Sequence, residues 1–569
     1  MGLTDVLRLD FIEANVTTAT LTFLVVMLAF LAWHTTSSFS RLDKVGVRHP
    51  PSLPFIGNLL YFREGFWESH NKLISDYGPS CGISHPPCSS FVPSGATLNP
   101  VVSLSVFRNA AFRERVTTPI MGRLYYIGRR MYIVVSEPDM IKCILEDDFR
   151  NFRNRMSLDL VFKPFADSIV MLRDEKWEKV RSILTPAFGI AKIKELTPLI
   201  DEACSILLNN LKVYAESGTA FDIQRNYGCF MLDIVASVAF GTPIDSQKSP
   251  NDIFVKYTRR FFEPLIFKPL LILAVAFPCI MIPLLRILPN KKRDEVNGFF
   301  ISLIKNTITL RDQQDPNERR RDFLQLMLDA CILTSDIVME QSDRVSQDDI
   351  SGALPKKQQM WLNDDEIAGQ ASLFLIAGYE TSNSTLSFGT YLLATNPQCQ
   401  EKLLQEVDGF FSKHDIPDYE NIQDLPYLDM VIAEILRMYP PAFRFTREAA
   451  KDCLVLQQQV PAGTIMEIAV GHLHYNPKFW PDPEKFIPER FTAEAMQQQQ
   501  QPFAYLPFGA GPRGCIGMKL GLMTIKMALL RILQRFMFKT CPETQIPLQV
   551  KSHGTLGPRD GVFIKIVSR

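Results

Sequence analysis

Cys515 stands in the stretch Pro507-Phe508-Gly509-Ala510-Gly511-Pro512-Arg513-Gly514-Cys515-Ile516-Gly517, just ahead of an apolar, helix-like run from Met518 to Phe536. Gly511, Gly514 and Gly517 let a backbone fold tightly and turn its N–H groups toward a sulfur. A helix starting immediately afterwards favours a thiolate at its N-terminus. The chemistry indicated is metal ligation through sulfur. One cysteine does not hold zinc, and no CxxC or HxxxH pair stands nearby. The metal must therefore bring most of its own ligands, as haem iron does with four porphyrin nitrogens. The plainer alternative is a buried apolar cysteine in a turn.

Three further sets of residues have types and spacing that suit chemistry. Trp177-Glu178-Lys179-Val180-Arg181 puts an indole N–H and a guanidinium one helical turn apart, where both reach one anion. Gly378, Glu380 and Thr381 interrupt the apolar run Phe374-Leu375-Ile376-Ala377-Gly378-Tyr379-Glu380-Thr381, and polar groups inside a buried helix need a reason. Glu434 and Arg437 stand at i and i+3, an ion-pair spacing that is frequent by chance.

The elements that must position these residues can be read from the same pattern. Asn363 or Asp364 suits the cap of a long helix running to about Thr395, roughly 45 to 50 Å at 1.5 Å per residue. Arg130-Met131-Tyr132-Ile133-Val134-Val135 reads as a strand.

Phe508-x-x-Gly511-x-Arg513-x-Cys515-x-Gly517 resembles the haem-thiolate signature of the cytochrome P-450 family. The resemblance implies a mainly α fold with a smaller β region, preceded by one N-terminal transmembrane helix. It implies haem b (iron protoporphyrin IX) with Cys515 as axial thiolate and Phe508 beside the cofactor. It further implies that Trp177, Arg181, Arg447 and Arg513 bind haem propionates. Gly378 would leave room for ligand over the haem, and Glu380 and Thr381 would relay protons in monooxygenases. Glu434 and Arg437, with Arg490 of Pro488-Glu489-Arg490-Phe491, would form a structural lock behind the cysteine loop.

Within the family, the chain is more similar to a branch of endoperoxide isomerases. Phe221-Asp222-Ile223-Gln224-Arg225, the stretch from Asp233 to Pro243, Met438 to Glu448, and the end Ile564-Lys565-Ile566-Val567-Ser568-Arg569 carry that likeness. It implies prostaglandin H2, a lipid, as substrate, with neither O2 nor NADPH consumed. Thr381 departs from the branch, where that position tends to be apolar. Its presence leaves open a second reading, a monooxygenase of lipophilic substrates with a reductase partner. A haem-thiolate sensor is a third.

Composition bounds the rest. With 569 residues, 46% hydrophobic and 40 Phe, the chain can bury a large core in one domain or two, and the resemblance favours one. A net charge of +0 offers no whole-chain field for nucleic acid, and nothing demands an oligomer, so a monomer is expected. Eleven cysteines without paired spacing suit reduced thiols in a cytosol-facing domain. Residues 1–15 read as a luminal tail with a sequon at Asn15, and 16–34 as a transmembrane anchor. Arg41, Lys44 and Arg48 after the span place the body in the cytosol at the endoplasmic reticulum. A cleaved signal peptide is the alternative. Residues 35–58 form a basic, proline-rich hinge and 59–569 the catalytic domain. Within it, 83–124 reads as an atypical insertion and 311–360 as a polar linker. Leu270 to Leu285, apolar but broken by Pro278 and Pro283, suits a surface dipping into the bilayer rather than a span. Arg173, Lys176 and Lys179 offer either a basic patch or a solvated helix face.

Overall fold

The computed structural model describes residues 50–77, 123–329 and 362–569, apart from single positions and short runs within them, together with part of a helix between 18 and 33. Helices dominate. α1 is Phe66–Tyr77, followed by the hairpin of β1 (Arg123–Ile127) and β2 (Arg130–Val135). Next come α2 (Asp174–Leu184), α3 (Ile190–Ser217), β3 (Phe221–Asp222) and α4 (Ile223–Phe240). α5 (Pro269–Ala276), α6 (Pro278–Ile287) and α7 (Lys291–Asp312) precede the longest helix, α8 (Asp364–Thr395). After it come, among others, α9 (Pro397–Phe411), α10 (Pro426–Met438), β4 (Phe445–Glu448), β5 (Ile465–Ile468), α11 (Val470–His474), α12 (Met518–Arg535), β6 (Phe536–Lys539), β7 (Val550–Lys551), β8 (Gly557–Pro558) and β9 (Phe563–Ser568).

α8 starts where the sequence places it. The Asn363 side chain accepts from the Glu366 N–H at 2.8 Å while Glu366 Oε2 accepts from the Asn363 N–H at 3.0 Å, a reciprocal cap. Apolar on nearly every side, α8 runs through the main core, and α4 crosses it closely. A second core lies beneath a mixed sheet in the order β1-β2-β5-β4. There β2 and β5 run parallel, with Tyr132 opposite Ile465, and β4 and β5 antiparallel, with Arg447 opposite Met466. Strand β9 pairs with both β3 and β6 against α3.

The anchor segment 16–34 is described only at Thr18 and Leu21 to Met27, Ala29 and Trp33, which are helical and exposed. Among described residues no helix is long and apolar enough to cross a membrane. The insertion expected at 83–124 lies almost wholly outside the described residues, and its last two positions, Arg123 and Leu124, instead open β1. The polar linker is likewise shorter at its start, because Arg311 ends α7 buried against Asp322 in an ion pair. Leu270 to Leu285 forms the two short helices α5 and α6, broken at Phe277. They expose Leu270, Leu273, Ile280, Leu284, Ile287 and Leu288. Phe277 packs on Phe55 at 5.0 Å and Val275 against Gly128, fixing this apolar ledge beside the β1–β2 hairpin.

Candidate functional site

The cysteine loop is shaped by close backbone approach. Gly509 and Gly511 both have positive φ (68° and 69°), and a Cβ at Gly511 would stand 2.2 Å from the Leu145 carbonyl oxygen, so no other residue fits. The Cys515 N–H donates to the Phe508 carbonyl at 2.9 Å, and the Gly514 N–H to that of Gly511 at 2.9 Å. Phe508 itself packs partly buried against the main core. Gly517 is the N-cap of α12, so Cys515 precedes that helix by a few residues and its side chain stays accessible. Burial by surrounding atoms raises the thiol above its ordinary range, against the Gly517 N–H and the charges of Arg181 and Arg155, which pull it down. A metal bound to the sulfur would add the charge that tips this balance to thiolate.

Cations crowd one side of the loop. Arg181 on α2 donates to the Gly514 carbonyl at 3.0 Å. Trp177, one turn earlier, is buried with the Arg513 guanidinium 4.1 Å above its ring. Arg513 donates to the carbonyls of Arg153, Ile169 and Leu172 and to Asn154 Oδ1, all neutral acceptors. Arg447 on β4 is 1% exposed and donates to the Thr446 carbonyl, while its Nε lies buried without a partner. Burial, then the charges of Arg155 and Arg513, disfavour the Arg447 cation. Arg155, which the sequence reading passed over, belongs to the same cluster, and its Nε is also buried and unpartnered. Its only local signal is the run Arg153-Asn154-Arg155. Mutually repelling, partly unpaired guanidinium groups call for anions. A porphyrin carrying two carboxylates fits that demand.

α8 presents one open stripe toward this region. Phe374, Ala377, Gly378 and Thr381 are the partly or fully exposed positions in a stretch otherwise buried, and they share one helical face. Phe188 ties the stripe to the cysteine loop, its ring 5.4 Å from Phe374 and 3.6 Å from a Cβ built at Gly517. Gly378 also meets α4: a Cβ there would stand 2.8 Å from Val235 Cγ2, so glycine lets the two helices approach at this point of the stripe. The expected acid and alcohol are present but do not bond to each other. Thr381 donates its hydroxyl to the Ala377 carbonyl at 2.7 Å. Glu380, 5% exposed, turns away to Lys551 Nζ on β7 at 2.7 Å.

Glu434, Arg437 and Arg490 come together, and further residues join them. Glu434 pairs with Arg437 Nε at 2.7 Å and Arg490 Nε at 3.3 Å, and accepts from the Ile487 N–H. Arg437 donates to the carbonyls of His474 and Pro483. His474 is the member that sequence reasoning missed. It takes the Leu506 N–H on Nε2 at 2.9 Å, so its proton sits on Nδ1 and goes to the Arg437 carbonyl at 3.1 Å. Of the surface cations proposed as a basic patch, Arg173 is tied to Glu448 and Lys179 lies near Glu366.

A family profile described as Cytochrome P450 matches residues 117–566. Thromboxane-A synthase of Macaca fascicularis is 54% identical and that of Sus scrofa 54%, each alignment covering 98% of both chains. Cytochrome P450 3A5 of Homo sapiens is 32% identical, again over 98% of both.

Proposed function

The chain belongs to the cytochrome P450 family, and on that premise we propose that it is an isomerase converting prostaglandin H2 to thromboxane A2, consuming neither O2 nor NADPH. The family carries a haem with a cysteine as axial ligand, and Cys515 is the residue that fits. When bound, the haem supplies an iron to which an endoperoxide oxygen can ligate and at which the O–O bond can break homolytically.

The chain's own residues do the rest. Cys515, just before α12, would hold the metal through its sulfur and donate electron density to it. Arg447, Arg513, Arg155 and the Trp177–Arg181 pair would hold the propionates of the haem, and so neutralise a cluster of mutually repelling cations. The stripe from Phe374 to Thr381 lines the substrate side with carbon and one internally bonded hydroxyl. Glu434, Arg437 and Arg490, through His474 and Leu506, keep the cysteine loop in register.

The observation that carries the haem reading is the set of buried, unpartnered guanidinium nitrogens beside Cys515. Thr381 favours the monooxygenase as a second reading, but its hydroxyl bonds to Ala377 and Glu380 bonds to Lys551, which leaves no assembled proton relay. We infer a monomer at the endoplasmic reticulum membrane, its catalytic domain facing the cytosol; the apolar sequence at 16–34 and the exposed ledge of α5 and α6 support the membrane contact. No reductase is needed.

The test mixes purified holoprotein with prostaglandin H2 in the absence of NADPH and measures thromboxane. Cys515→Ala should abolish both conversion and the red-shifted absorption of the ferrous carbon monoxide complex. An intact band with no conversion would overturn the isomerase and favour the monooxygenase.

A further inference from the structure

We propose that Gln370 on α8 is a positioning residue, which holds the segment 164–172 so that the carbonyls of that segment orient the Arg513 guanidinium beside the cysteine loop. The inference rests on the reading of Arg513 as a propionate partner. It lets the long helix act on the cofactor side through one intervening residue, Ile169.

The Gln370 side chain is fully buried, and both ends of its amide are in use. Its oxygen accepts from the Ile169 N–H at 2.7 Å, and its nitrogen donates to the carbonyls of Asp167 at 2.7 Å and Glu366 at 3.0 Å. These backbone partners fix which end is oxygen, since an N–H only donates and a carbonyl only accepts. The neighbouring glycine lets the segment come this close: a Cβ at Gly369 would stand 2.9 Å from the Asp167 carbonyl carbon and 2.9 Å from the Pro164 oxygen.

Ile169 is thereby held from two sides. Its N–H goes to Gln370, and its carbonyl accepts from Arg513 Nη1 at 3.3 Å, while the Leu172 carbonyl accepts from Arg513 Nη2 at 2.9 Å. The same guanidinium lies over the Trp177 ring. A second link between the segment and α8, Lys163 with Asp365, is exposed on both partners, and such a pair holds little. Replacing the amide by an apolar chain of similar length leaves the buried Ile169 N–H without an acceptor. The segment shifts to recover one, and the Arg513 fork follows the carbonyls to which it donates.

The experiment uses the full-length holoprotein with Gln370→Met, Arg513→Leu and the two combined. Haem transfer to an acceptor protein should be roughly tenfold faster in Gln370→Met, about the size of one lost hydrogen bond. In the Arg513→Leu background the same change should add less than about twofold, because residues acting through one group are not additive. The propionate-bending bands of the resonance Raman spectrum should shift in Gln370→Met as they do in Arg513→Leu, a response that a general loosening of α8 does not produce. An equal effect of Gln370→Met on haem loss with and without Arg513 overturns the inference and leaves the role of Arg513 intact. Unshifted bands in Gln370→Met overturn it as well. Haem loss unchanged in Arg513→Leu alone would sink the propionate reading, and this inference with it. Should Gln370→Met fail to fold, Gln370→Asn, whose amide is one methylene short of Ile169, goes through the same cycle with the same expected outcome.

Discussion

His474 and Leu506 are joined by a hydrogen bond in which the leucine N–H donates to the imidazole Nε2 at 2.9 Å. That bond couples the Glu434–Arg437 ion pair to the chain entering the cysteine loop, since the same imidazole donates to the Arg437 carbonyl. Both bonds require a neutral ring. Burial, with the charge of Arg437, lowers the His474 pKa to about 3.

Acid should therefore destabilise the fold through this residue. Below the ordinary histidine range the unfolded chain binds a proton that the folded chain refuses, so stability is present above about pH 6.5 and is lost as pH falls toward 3. The slope is about 1.4 kcal/mol per pH unit. In His474→Gln, urea unfolding should lose one proton's worth of that slope between pH 6.5 and 5. It should also show roughly 2 to 4 kcal/mol less stability at pH 7.5. An unchanged slope would contradict the neutral ring. Glu467 adds acid sensitivity lower down: burial raises its pKa, but Arg444 and His70 outweigh it and hold the carboxyl at about 2.

Arg447→Leu should move the apoprotein and the holoprotein in opposite directions. It removes a buried cation that burial and its neighbours disfavour, so the apoprotein should melt several degrees higher. The same change deletes a propionate partner, and haem loss to an acceptor protein should be about tenfold faster. A destabilised apoprotein would argue that Arg447 already has its anion within the chain.

Thr381→Val should leave prostaglandin H2 conversion within about threefold of the parent. The hydroxyl it removes bonds to the Ala377 carbonyl of its own helix, and endoperoxide homolysis needs no delivered proton. A fall near 10²-fold, the lower part of the range for general acid catalysis, with haem content intact, would move the assignment to the monooxygenase.

Ile280→Asp/Leu284→Asp in a protein lacking residues 1–49 should release it from membranes, whereas the truncated parent should stay bound in high salt. Apolar burial is not screened by ions, and both side chains are exposed on α6. Sedimentation with liposomes reads the outcome, and a soluble truncated parent would refute the second contact.

How much of this was legible in the sequence varied with distance along the chain. The α8 boundaries came from a local cap at Asn363, and the cysteine loop from glycines whose positive φ angles are local demands, whereas the close approach of Gly511 to Leu145 is made only by the fold. Glu434 and Arg437 were legible through their spacing only together with the Pro488-Glu489-Arg490-Phe491 stretch that follows. Arg155, His474 and Lys551 were not legible, because each acts on a partner brought near only by the fold: Arg155 on the Cys515 loop, His474 on Leu506, Lys551 on Glu380. The contact of Gly378 with α4 is equally silent in the sequence, because a glycine in a helix looks the same whether it faces a ligand or Val235 of a crossing helix.

The parallel pairing of Tyr132 with Ile465 has a kinetic consequence. The β1–β2 hairpin is complete early in the sequence, yet its partner edge on β5 follows almost the whole helical body. Closing so long a loop is slow, and until it closes Ile133 and Val135 belong to an open apolar strand edge available to other chains. Refolding at high protein concentration should thus lose yield to association through that edge, while dilution should restore it.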